Sequence, residues 1–371
     1  MIQSRRTFIL TIFGCLAYML NTFGQANYDL IKAPDGKNVT ISSLDKHIKK
    51  VMDSAKVPGL SIAIINDSKI VYHNVFGVTN TETKLPIIDE SIFEGASLSK
   101  PIFAYFAMKM VEKGVLNLDK PLYQYLEHPG IAEESKEDYK LITARMVLSH
   151  SSGFPNHAKG EKIKLPFRPG TGFLYSGEGY QYLAAVIGKL HGIGVKDDLN
   201  SLFQQVVTKP FGMTNTTFVW NDYLSTHKVF GHDTNGKPTQ NSPKNGWWSG
   251  KTFNAYSSLH SESLEYARFI IALLRQEGLT SEAFDEMLKE HTHFKEDNPL
   301  KKAVGQTGWG LGLAQKPTKY GMMHLHTGNN HDFQSYMMMI PKKNFGIVFF
   351  MNGDKAIPFI EGLSRMIGPI F

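Results

Sequence analysis

Apolar and polar positions alternate along this chain in two different rhythms, and the change of rhythm marks its parts. After Ser43, a candidate helix cap, Leu44, Ile48, Val51 and Met52 recur at helical spacing. Leu60–Ile65 and Ile70–Gly77 are short β-rich runs separated by Asn66-Asp67-Ser68, which predicts a hairpin. Near the other end, Ser335–Ile340 and Phe345–Met351 flank Pro341-Lys342-Lys343-Asn344 as a second strand pair, and Ile357–Ile367 predicts a closing helix. Between these ends the helical rhythm dominates: Phe103–Lys113 ending at Gly114, Ala144–Leu148, Tyr180–Leu190 and Leu264–Leu274. Strands at both ends with helices between them predict an α+β fold, an antiparallel sheet with an inserted helical region. The three consecutive methionines, Met337-Met338-Met339, are expected to fill core space from a strand.

Composition fits a globular protein with a sizeable core: 371 residues, 42% hydrophobic and 20% charged. The formal charge of +6 falls to +4 when residues 1–26 are removed, since they carry Arg5 and Arg6 and no acid. No basic run interleaved with aromatics suggests nucleic acid. Residues 1–26 are expected to be a signal peptide. Arg5-Arg6 precedes an uncharged stretch from Phe8 to Leu20, short for a bilayer span and right for a signal core, with Gly24 or Ala26 at the cut. Ser4-Arg5-Arg6-Thr7-Phe8-Ile9 also resembles a twin-arginine export signal, so a periplasmic or secreted location by either route is expected, with no integral span after cleavage. Cys15 is the single cysteine, so the mature chain would hold no disulfide.

The chemistry starts at Ser97-Leu98-Ser99-Lys100. Residues three apart on a helix share a face, with Cβ atoms about 5–6 Å apart, so the lysine amine can reach the serine hydroxyl and take its proton. Alone, this spacing is common by chance. Tyr175-Ser176-Gly177 follows 78 residues after the serine, His326-Thr327-Gly328 follows 151 after the tyrosine, and 45 residues then remain. This order resembles the S-x-x-K, Y-x-N and K-T-G series of the serine β-lactamase and penicillin-binding-protein superfamily, in particular its class C and esterase-like branch. The resemblance extends through Leu141–Gly153, Arg168-Pro169-Gly170, Gly179-Tyr180 and Lys209-Pro210-Phe211-Gly212-Met213.

That resemblance implies a single serine hydrolase domain over 27–371, its sheet part drawn from about 40–96 and 300–371 and its helical part from about 97–299. It implies Ser97 as nucleophile, Lys100 as its base and Tyr175 as a proton shuttle aided by positive charge from Lys100. The backbone N–H groups of Ser97 and Asn329 would form the oxyanion hole, and His326, Thr327, Gly328 and Gly177 would meet the substrate. No metal or other cofactor is implied, and the expected partner is a small-molecule or peptide substrate.

Two departures bear on substrate. Gly177 replaces the asparagine of Y-x-N and supplies no amide, with Glu178 as a conceivable polar stand-in. His326 replaces the lysine of K-T-G, and a histidine is mostly neutral at pH 7 where a lysine would hold a carboxylate. Weaker recognition of penicillins and D-alanyl peptides, and better tolerance of neutral esters or amides, is expected. β-Lactamase, D-alanyl-D-alanine carboxypeptidase, or a penicillin-binding protein that acylates without turnover are the alternatives. Gln306-Thr307-Gly308 is a competing match to the third motif, but only after His326 do two strands and a helix remain. His291-Thr292-His293 lacks a partner at zinc spacing and is expected in a solvated loop. Trp247-Trp248 is expected either at the cleft mouth or in buried packing.

Overall fold

A computed structural model of the chain describes residues 30–194, 199–239 and 252–371. The proposed signal segment and Trp247-Trp248 lie outside the described residues.

The first helix, α1 (Ile41–Ala55), buries the expected stripe of Leu44, Ile48, Val51 and Met52. Its cap is Thr40 rather than Ser43. Thr40 has the extended backbone a cap needs and accepts from the Ser43 N–H, while Ser43 lies inside the first turn. The apolar stripe fixes which face is buried, but two neighbouring hydroxyls compete for the cap and backbone conformation decides between them.

After a short strand pair, Leu30–Lys32 with Asn38–Thr40, that precedes α1, a hairpin joins β1 (Gly59–Asn66) to β2 (Lys69–Gly77). Its loop is two residues, Asp67 and Ser68, both at positive φ, as the tight hairpin turn requires. Then come β3 (Phe93–Ala96), the buried helix α2 (Ser99–Glu112), α3 (Ala144–Leu148) and α4 (Glu178–Leu190). β4 (Leu259–Ser261) pairs with β3, and α5 (Ser263–Leu274) follows. The chain returns through β5 (Thr292–His293), β6 (Gly308–Trp309), β7 (Ala314–Thr318), β8 (Gly321–Asn329), β9 (Gln334–Ile340) and β10 (Phe345–Met351), and closes with α6 (Ala356–Ile367).

Among the described residues the main sheet has eight strands in the order β2-β1-β10-β9-β8-β7-β6-β5, all antiparallel. Hairpins from the two chain ends meet where β1 pairs with β10. β10 is apolar throughout because both of its faces are covered. Ile347, Phe349 and Met351 pack with α1 and α6, while Val348 and Phe350 face the helical region. The methionine run divides the same way, with Met338 on one face and Met337 and Met339 on the other. The fold is therefore the expected α+β sheet with an inserted helical region, and every predicted helix and strand is present with ends shifted by a few residues. Two further expectations change. His291-Thr292-His293 is no solvated loop: Thr292 and His293 form an edge strand, and buried Thr292 donates its hydroxyl to the Ser149 carbonyl. Ser97 precedes α2 instead of sharing its helix with Lys100, since Leu98 holds the cap position.

Candidate active site

Ser97 is delivered by a sharp bend at the end of β3. Ala96, a residue with a Cβ, is held at φ 47°, a conformation that costs about 1–3 kcal/mol and persists only where surroundings enforce it. They do so here. Ser99 Oγ donates to Ala96 O at 2.6 Å and accepts from Leu259 N–H at 3.0 Å, and Ser335 Oγ donates to Gly95 O at 2.7 Å. The Lys100 N–H closes a turn on Ser97 O at 3.0 Å, so the three-residue spacing still places Lys100 beside Ser97 even though the serine is outside the helix.

Lys100 Nζ lies 3.1 Å from Ser97 Oγ and 3.0 Å from the Tyr256 carbonyl. The side chain is fully buried, and the rings of Tyr175, Tyr256 and Tyr180 stand 4.5, 5.3 and 5.8 Å from the amine. Ring faces favour a cation, but loss of water outweighs them and holds the Lys100 pKa well below that of a free lysine. Burial raises the Tyr175 phenol above the usual value, and the Ser97 side chain opposes the rise. Lys100 therefore does not act as the positive charge that lowers Tyr175. Burial thus disfavours the charged form of both groups that flank the Ser97 hydroxyl, the ammonium of Lys100 and the phenolate of Tyr175.

His150 anchors the Tyr175 loop. Its Nδ1 accepts from the Ser176 N–H at 3.0 Å, and its ring packs 4.5 Å from Tyr175 and 4.9 Å from Trp309. On the opposite wall, the His326 ring is 6.0 Å from Tyr175 and 5.5 Å from Trp309. His326 Nδ1 donates to Thr327 O at 2.8 Å, which fixes the neutral tautomer with the proton on Nδ1. Burial, with Lys100 nearby, pushes its pKa down to about 3, so it is uncharged at neutral pH.

Gly328 lets β8 approach the nucleophile turn. A Cβ there would meet Ser335 Oγ at 2.1 Å and Gly95 O at 2.5 Å. Asn329 lies at the end of β8 and lines a recess of ≈ 70 Å³ together with Ser97, Asn156, His157, Tyr256 and His331. Thr327 is exposed and is not among the residues lining this recess. The competing Gln306-Thr307-Gly308 leads into β6, two strands from β8, where the Thr307 N–H bonds Gln315 O. Gly177 has no room for a side chain, because its Cβ would lie 2.6 Å from Asn156 O and 2.7 Å from Tyr256 Cδ2. Glu178 is not a stand-in for the missing amide; it accepts from the Ala158 N–H at 2.9 Å and braces the loop that carries Asn156 and His157.

Sequence motifs therefore converge on one place, but Tyr256, Asn156, His157, His150 and Trp309 also build it. None of them sits in a motif that sequence alone would single out as chemistry. Tyr256 comes from the helical part and reaches Lys100 through its backbone carbonyl, a contact that leaves no residue-type signature.

The Beta-lactamase family model matches residues 44–364. The chain belongs to the Beta-lactamase family. It is accordingly a β-lactamase-fold serine hydrolase. Protein flp of Staphylococcus aureus (strain NCTC 8325 / PS 47) is 22% identical over 359 residues, 89% of this chain and 67% of that protein. Among solved structures, the octameric penicillin-binding protein homologue from Pyrococcus abyssi aligns with a TM-score of 0.73 at 23% identity, covering 88% of this chain and 76% of that one. The D-alanine carboxypeptidase AmpC from Burkholderia cenocepacia aligns at 0.70 with 20% identity, covering 88% and 98%. At these identities the solved structures support the β-lactamase-like fold.

Proposed function

We propose that this chain is an exported serine hydrolase that acts through a Ser97 acyl-enzyme on a small, neutral ester, amide or peptide. The observation that carries this reading is the buried Lys100 amine 3.1 Å from Ser97 Oγ. Burial disfavours the protonated amine, which leaves its lone pair freer to accept the hydroxyl proton as Oγ attacks the substrate carbonyl carbon. The carbonyl oxygen becomes an oxyanion received by the backbone N–H groups of Ser97 and Asn329. Tyr175, whose ring stands 4.5 Å from the Lys100 amine, gives its proton to the leaving alkoxide or amine and regains one from Lys100. The bond from carbonyl carbon to leaving group breaks, and the ester to Ser97 remains. Water then attacks that ester, loses its proton through the same pair, and releases the acid and free Ser97.

The substrate preference follows from charge. His326 is neutral at pH 7, burial disfavours the charged form of Lys100, and no lysine, arginine or carboxylate lines the recess beside Ser97. A substrate carboxylate finds little to hold it there. Export rests on Arg5-Arg6 and the apolar stretch after it. The second reading is a penicillin-binding protein or D-alanyl-D-alanine carboxypeptidase, favoured by the names of the relatives above.

Intact-mass spectrometry of the mature protein with a fluorophosphonate, a penicillin and a p-nitrophenyl ester, beside Ser97→Ala, tests this. Adducts on Ser97 with ester turnover and little penicillin reaction are expected. A long-lived penicillin adduct would replace the first reading with the second, and no adduct from any probe would overturn both.

A further inference from the structure

Glu94 and Lys228 are two buried charged residues that the acyl transfer does not use. Lys228 Nζ lies 3.1 Å from Glu94 Oε1, with the side chains 1% and 7% exposed. The other carboxylate oxygen, Oε2, accepts from Asn330 Nδ2 at 2.8 Å. Asn330 Nδ2 also donates to Ser257 O at 3.3 Å, beside the Tyr256 carbonyl that receives Lys100.

A buried ion pair is weak evidence of net stability, because desolvating both groups offsets their attraction and apolar replacements often do as well. What such a pair can supply is a fixed relative position, and this one joins two particular segments. Glu94 is on β3, three residues before Ser97. Asn330 follows Asn329 at the turn between β8 and β9, where its own N–H bonds Phe333 O at 2.9 Å. The Ser335–Gly95 bond and the close pass of Gly328 fix β8 and β9 against the nucleophile turn further along the strands. Beyond Gly328, the Glu94–Asn330 bond ties the tip of the β8–β9 hairpin back to β3. A charge-assisted bond is stronger and more directional than a neutral one, which suits that task.

We propose that Glu94, neutralised by Lys228, is a positioning residue that sets the spacing of the Ser97 and Asn329 backbone N–H donors by holding Asn330. This rests on the acyl-enzyme reading above. An oxyanion hole acts through donors placed before the charge develops, and a displacement of about 1 Å can cost about 10²-fold in rate.

The test measures acylation rate constants with a p-nitrophenyl ester and affinity for a small arylboronic acid, which forms a reversible tetrahedral anion on the serine. Wild type, Glu94→Gln, Asn330→Ala and the double variant are compared, with circular dichroism and Tm reporting the fold. Asn330→Ala is expected to lower the acylation rate constant by about 10²-fold, with ester KM little changed and boronate affinity falling in parallel. Glu94→Gln, which loses the charge that strengthens the bond to Asn330, is expected to fall in the same sense, and the double variant to be no worse than Asn330→Ala, because Glu94 acts through Asn330. A folded Asn330→Ala with wild-type acylation and boronate affinity would overturn the proposal, as would losses that add in the double variant. Should Glu94→Gln not fold, Asn330→Ala decides alone. A wild-type chain that does not acylate at Ser97 overturns the acyl-enzyme reading and this inference with it, whereas normal wild-type acylation with unaffected variants overturns only the inference.

Discussion

Gly177 and Tyr256 occupy one another's space: a Cβ on Gly177 would stand 2.7 Å from Cδ2 and 2.8 Å from Cε2 of the tyrosine ring. The missing asparagine of Y-x-N is thus part of a local repacking in which Tyr256 and the loop at Asn156 close over the position. Restoring the asparagine is not expected to restore its subsite. Gly177→Asn is expected to destabilise the fold by about 1–3 kcal/mol through overpacking and to lower ester turnover. Adding Tyr256→Ala is expected to recover part of the stability. Urea denaturation midpoints of the three variants check this, and an unperturbed single variant would contradict it.

Lys100 separates activity from stability. Lys100→Met keeps a long apolar side chain in a fully buried place and removes an amine whose desolvation costs free energy. Acylation of Ser97 is expected to fall by about 10²–10⁴-fold, the range of a lost general base, while Tm holds or rises. Single-turnover kinetics with an activated ester and a thermal melt on the same sample measure both.

The pH profile of acylation should carry the signature of a depressed lysine. Protonated Lys100 cannot accept the Ser97 proton, so the rate should fall with decreasing pH through the folded Lys100 pKa, which burial holds well below 10.5. Lys100→Met is expected to lose this limb, and rates measured from pH 5 to 10 would reveal one that persists.

His326 links acidity to stability with a definite sign. Its folded pKa of about 3 lies below the ordinary value of 6.5, so between these values the unfolded chain binds a proton that the folded one does not. Stability is therefore lost as pH falls below 6.5, by about 2 kcal/mol from this residue between pH 7 and 5. His326→Gln is expected to flatten that dependence, as chemical denaturation at the two pH values would record. Equal losses in both proteins would exclude His326 as the source.

His326→Lys tests the basis of substrate preference. A lysine there must place its ammonium between Trp309 and Tyr175 and near Lys100, so a lower Tm is expected. The ratio of kcat/KM for nitrocefin to that for a short p-nitrophenyl ester is nevertheless expected to rise, because the new charge can hold a carboxylate. A wild-type ratio already well above one would remove the premise.

Much of this protein could be read from its sequence, and for a physical reason. Amphipathic stripes and strand runs record which faces lose contact with water, so Leu44, Ile48, Val51 and Met52, the two terminal hairpins and the apolar β10 announced α1 and the sheet. Ser97, Lys100, Tyr175 and His326 carried their chemistry in residue type and spacing. Other features depend on segments distant in sequence and needed the folded chain. The choice of Thr40 over Ser43 as cap turns on backbone angles. The bend at Ala96 is held by Ser99 and Ser335, the latter far along the chain. The lowered pKa of Lys100 comes from burial, and the fate of position 177 from the ring of Tyr256. Residue type sets what a group can do; which form it takes, and what stands beside it, is decided by the desolvation and close packing that only the tertiary structure imposes.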